Sequence, residues 1–153
     1  MNTHRDWPRI YVAAPFEDRE YVRCVHKLLV EAELRPTSTW ANACVDENWD
    51  DEEAIRRALV ENTNQLCVSD AMLVIARPRA GGEMFAEAAK ALHYGKPIFW
   101  VGRRILSAFR PGVFRFGDCM SPDSLGPWAY YKTAERDEEV GKAIAAMKRE
   151  LAR

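Results

Sequence analysis

Apolar residues along this chain are grouped in two alternating ways. Short continuous runs of branched and aromatic residues occur at Arg9-Ile10-Tyr11-Val12-Ala13-Ala14, Ala71-Met72-Leu73-Val74-Ile75-Ala76 and Ile98-Phe99-Trp100-Val101. Strands of a parallel sheet read this way because both of their faces are covered. Between the runs, Tyr21, Val25, Leu28, Leu29 and Ala32 recur at helical spacing over 18–33, and Ile55, Leu59 and Leu66 mark a second helix. That helix opens on Asp50, Asp51, Glu52 and Glu53, where the positive end of the macrodipole favours acid. A third helix of about three turns follows Gly81 and Gly82 and closes at Gly95-Lys96-Pro97. Val140, Ile144, Met147 and Leu151 stripe a last helix over 135–151. Residues 34–40 form a weakly marked strand containing Pro36, which places it at a sheet edge.

Strands alternating with helices predict an α/β fold, a doubly wound parallel sheet of about five strands with helices on both faces. Right-handed crossovers leave few topologies, and the flavodoxin-like strand order fits best. The 153 residues show no repeat, low-complexity tract or interdomain linker, so residues 1–153 read as one domain.

Composition narrows the function classes. Hydrophobic residues make up 48% and charged residues 29%, ordinary for a globular chain, and the net charge of −1 gives no general attraction to nucleic acid. No apolar stretch approaches the roughly 20 residues of a spanning helix. The first eight residues lack the apolar core of a signal peptide, so the expected location is cytoplasmic, with no membrane partner. Cysteines at 24, 44, 67 and 119 form no Cys-x-x-Cys pair and have no histidine at zinc-like spacing. They read as small half-buried side chains in a reducing compartment, with neither metal nor disulfide expected.

Candidate chemistry gathers where strands meet the following turns, since open parallel sheets bind ligands beyond the carboxyl ends of their strands. Glu83 and Glu87 lie four apart on one face of the third helix, just after the glycine pair. A carboxylate there can stabilise or capture an oxocarbenium-like centre, and a neighbouring carboxylate can be held protonated by repulsion. By spacing alone, a solvated helix face is the simpler reading of both. Gly81 and Gly82 let backbone amides approach a ligand, or form a plain flexible turn. Ala14, Pro15 and Phe16 end the first strand on the same edge, where Phe16 and Trp40 can stack on a base or fill core. Arg19, Arg23 and Lys27 make a basic stripe of the solvated kind, of which Arg19 is close enough to the strand end to reach a phosphate. Residues 103–116 are basic and aromatic and read as a subunit contact or a lid; residues 121–127 read as a loop.

The opening Tyr11-Val12-Ala13-Ala14-Pro15-Phe16 resembles the first strand of the nucleoside 2-deoxyribosyltransferases and the related nucleotide N-glycosidases. The glycine pair, a glutamate, an alanine-rich helix and Gly95-Lys96-Pro97 resemble them more closely. The resemblance spans about residues 9–116 and implies a nucleophilic glutamate nine residues before Lys96, which is Glu87. Trp40 and the helix holding Asn62 match in outline. Three positions depart: Arg79-Ala80-Gly81-Gly82 replaces an Asp-x-Gly-Thr, Ala89 replaces a glycine, and Asn62 falls where a second carboxylate is common.

The resemblance implies attack of Glu87 on C1′ of a (deoxy)nucleoside or nucleoside 5′-monophosphate, with transfer to another base or hydrolysis, and no cofactor. It also implies a homo-oligomer, to which the aromatic residues Phe109, Phe114, Trp128, Tyr130 and Tyr131 add support. A non-catalytic sensor of a nucleotide-derived ligand is the alternative, and a pocket serving only assembly with a partner is a third.

Overall fold

The computed structural model describes residues 6–42, 51–76, 82–102, 113–116 and 133–152, omitting the side chains of 82, 83, 85, 113–116 and 133–135. Nine elements follow in order: β1 (Arg9–Ala13), α1 (Arg19–Glu31), β2 (Arg35–Pro36), α2 (Glu52–Cys67), β3 (Ala71–Ile75), α3 (Gly82–His93), β4 (Ile98–Val101), β5 (Val113–Phe116) and α4 (Thr133–Glu150). The strands form one parallel sheet in the order β2-β1-β3-β4-β5, the flavodoxin-like arrangement. Four strands have four or five residues; β2 has two, because Pro36 offers no N–H to extend the ladder.

The continuous apolar runs are explained by burial on both faces. Ile10, Val12, Leu73, Ile75, Phe99 and Val101 point to a core shared with Val22, Val25 and Leu29 of α1 and Val140, Ile144 and Met147 of α4. Tyr11, Ala13, Met72, Val74, Ile98 and Trp100 point the other way, to Leu66 of α2 and Met84, Ala88 and Ala91 of α3. All helices therefore start at the carboxyl edge of the sheet. Tyr21 bonds Asp137 near the starts of α1 and α4, and Lys148 meets Glu33 near their ends.

Local signals set the ends. Asp51 caps α2 by accepting from the N–H groups of Glu53 and Ala54 at 3.0 and 3.4 Å. α3 stops at Gly95 (φ 68°), where the Lys96 N–H reaches back to the Ala91 carbonyl at 2.9 Å. α1 stops in the same geometry without a glycine: Glu33 takes φ 60° and the Leu34 N–H reaches the Leu29 carbonyl at 2.8 Å.

Several expectations are corrected here. The strand expected over 34–40 shrinks to two residues, and the rest of it becomes a hydroxyl-rich connection. Four residues of the basic-aromatic stretch, Val113–Phe116, form the outer strand β5, so that stretch is in part sheet. Leu28 and Leu59 are exposed, because α1 and α2 bury narrower stripes than their apolar spacing suggests. Cys24 and Cys67 are exposed, not half-buried, since each stands on a solvent-facing flank of its helix. Cys44, Cys119 and residues 121–127 lie outside the described residues.

Candidate functional site

β1 and β3 are neighbours in the sheet, and the chain leaves them in opposite directions, to β2 and to β4. The crevice of a doubly wound sheet opens at such a reversal. Ala14 and Pro15 follow β1 there, and a single 3-10 turn, Phe16–Asp18, leads into α1. Phe16 and Trp40 approach with ring centroids 6.5 Å apart, tilted by 41°. The Arg19 guanidinium sits 4.8 Å from the centre of the Phe16 ring, a cation–π distance. Trp40 packs against both core clusters, as only a side chain lying over the strand ends can do. Phe16 and Arg19, three residues apart, are thus brought together with Trp40 from the connection after β2.

The connection bearing Trp40 is pinned residue by residue. Thr37 donates through its N–H and its hydroxyl to the Ile10 carbonyl, at 2.8 and 3.1 Å. The Val12 N–H donates to Ser38 Oγ at 3.2 Å, and the indole N–H of Trp40 donates to the Val12 carbonyl at 2.7 Å. Side chains thus continue the β1 ladder where β2 ends. From α2, Gln65 exchanges hydrogen bonds with Thr39 at 3.1 and 2.7 Å, and from α1, Arg23 Nε donates to the Ala41 carbonyl at 2.8 Å. The basic stripe on α1 is therefore partly engaged, not simply solvated.

His26 Nε2 lies 3.1 Å from Ser38 Oγ. Burial pushes the imidazole below its ordinary pKa, favouring the neutral ring. The Ser38 hydroxyl thus accepts from the Val12 N–H while it shares a hydrogen bond with His26 Nε2. Sequence reasoning overlooked this support; the run Thr37-Ser38-Thr39 was its signal, since hydroxyls replace ladder groups where a strand ends.

The other half of the candidate site lies between α2 and α3. Lys90 Nζ donates to Thr63 Oγ1 at 3.0 Å, which identifies the flank of α3 that meets α2. On the next turn of that flank the Tyr94 hydroxyl meets Cys67, which raises its pKa above the ordinary tyrosine value. Glu87, three residues before Lys90, is on the same flank and half-buried. Half-buried Asn62 precedes Thr63 on the facing helix. Trp40 packs on the same core cluster to which Met84 and Ala88 of α3 belong. Gly82 begins α3. Gly81 and the side chain of Glu83 lie outside the described residues. Among the described residues no group of three or more His, Cys, Asp or Glu side chains could hold a metal ion, and no helix is long and apolar enough to cross a membrane.

Comparison with known proteins adds the fold alone. No protein-family model matches the chain, and no curated protein matches it. Among solved structures it is similar to a conserved protein from Enterococcus faecalis V583, with a TM-score of 0.50 and 19% sequence identity. The match covers 65% of each chain, so this chain spans less than two thirds of that protein's length.

Proposed function

We propose that the protein cleaves or transfers at the N-glycosidic bond of a (deoxy)nucleoside or nucleoside 5′-monophosphate, as a relative of the nucleoside 2-deoxyribosyltransferases. The observation that carries this reading is the Phe16–Trp40 pair, with Arg19 beside it, at the strand reversal; half-buried Glu87 stands on the helix that follows β3. An aromatic pair suits the planar base, and a carboxylate suits the anomeric carbon. In the first step a Glu87 oxygen bonds C1′ as the C1′–N bond breaks and the base leaves with the electron pair. In the second, an incoming base or water attacks C1′ and releases the carboxylate. Arg19 gives the site a cation fit for a 5′-phosphate. Assembly as a homo-oligomer belongs to the same reading.

Incubation with a panel of deoxynucleosides and their 5′-monophosphates, with and without an acceptor base, tests it. Released or exchanged base is the expected result. A second reading is favoured by one residue: Asn62 offers a carboxamide where a proton-donating carboxylate would help the base depart. Ligand-induced stabilisation without base release would support that sensor reading over catalysis.

A further inference from the structure

Asp18 ends the turn that presents Phe16 and immediately precedes Arg19. It occupies the N-cap position of α1, yet its carboxylate makes no cap hydrogen bond, forgoing a contact worth about 1 kcal/mol. The carboxylate turns instead to Arg136 of α4, 3.7 Å away. Both partners are nearly enclosed, with Asp18 6% and Arg136 12% exposed, so the pair is shielded as a surface ion pair is not. The Arg136 guanidinium also lies 3.4 Å from the centre of the Tyr21 ring, and the Tyr21 hydroxyl donates to Asp137 Oδ1 at 2.9 Å. Burial and the Asp137 carboxylate raise the Tyr21 pKa, so the phenol remains a donor. One turn of α4 therefore holds both Asp18 and Tyr21 at the α1 start, with Arg136 118 residues from Asp18 in sequence.

From this geometry we infer that Arg136 and Asp18 are positioning residues: α4 sets the turn that aims Phe16 and Arg19 into the crevice. Within the turn the Asp18 N–H donates to the Pro15 carbonyl at 2.9 Å and the Arg19 N–H to the Phe16 carbonyl. Neither residue touches the ligand in this account. They act through Phe16 and Arg19, which rests on the functional reading above.

The test pairs a readout on the turn with one on the ligand. In protein carrying carbon-13 phenylalanine, the Phe16 ring signal, assigned by its loss in Phe16→Leu, reports the ring current of Trp40. Arg136→Met and the nearly isosteric Asp18→Asn should both move that signal toward a freely rotating ring. Signals from buried Phe99 should stay in place, and Arg136→Lys should restore part of the shift. With the nucleotide panel, both variants should raise KM by at least about fivefold and leave kcat within about twofold, because binding geometry is lost and chemistry is not. An unmoved Phe16 signal in folded variants overturns the inference. So does a fall in kcat at constant KM, or a loss of order spread equally over Phe16 and Phe99. If the wild-type protein releases no base from any substrate, the functional reading fails and the Phe16 signal alone decides the positioning role.

Discussion

The indole N–H of Trp40 donates to the main-chain carbonyl of Val12 at 2.7 Å, across 28 residues of sequence. The bond fixes the edge of the indole. Trp40→Phe should keep an aromatic face and strand the Val12 carbonyl, lowering stability by about 1 kcal/mol in a urea titration. Ligand affinity should fall less in Trp40→Phe than in Trp40→Ala, which removes the stacking surface as well.

Glu87→Gln should abolish base release, by about a thousandfold or more, with an unchanged circular dichroism spectrum, since nothing replaces a nucleophile. Near-normal turnover in Glu87→Gln together with a dead Glu83→Gln would move the nucleophile by one helical turn.

On the proposed reading Glu83, four residues before Glu87, is the local candidate for protonating the leaving base. Glu83→Gln should then lower base release, and substrates with good leaving bases should suffer least. Equal losses across all bases would leave Glu83 without a chemical role.

His26 makes stability depend on pH. Its folded pKa lies below the ordinary 6.5, so the unfolded chain binds the proton more readily. The stabilisation is complete above pH 6.5 and is lost as pH falls through the folded value. His26→Gln keeps a hydrogen-bonding group opposite Ser38 without the titration. It should lose less stability than wild type between pH 7.5 and pH 5, measured as the urea midpoint.

Glu33 holds a left-handed conformation that costs a side-chain-bearing residue about 1 kcal/mol. Glu33→Gly should raise stability by up to about that amount, since the exposed Lys148 contact it sacrifices contributes little. An unchanged or lowered urea midpoint would count against this account of the helix end.

The sheet was readable because β1, β3 and β4 are buried on both faces and leave uninterrupted apolar runs. β2 was expected to run longer; its ladder is completed instead by Ser38 and Trp40 side chains, a device with no periodicity. The end of α3 was marked by Gly95, whereas α1 ends at Glu31, inside the expected 18–33, because Glu33 takes the left-handed conformation in a glycine's place. Within the candidate site, spacing sufficed to set positions 83 and 87 on one helix, α3. It was blind to Phe16 meeting Trp40 and to Asp18 meeting Arg136, since both contacts form only when separate elements dock.

The hydroxyl-rich connection also bears on how the molecule behaves in crowded solution. A parallel sheet that ended at β1 would offer a row of unclaimed main-chain groups to any extended peptide. Here Thr37, Ser38 and Trp40 occupy those groups with side chains that no neighbouring chain can continue, and Pro36 interrupts the two-residue strand outside them. That side of the sheet gives an incoming strand almost nothing to pair with, which protects the protein from edge-to-edge aggregation while the crevice above it stays open.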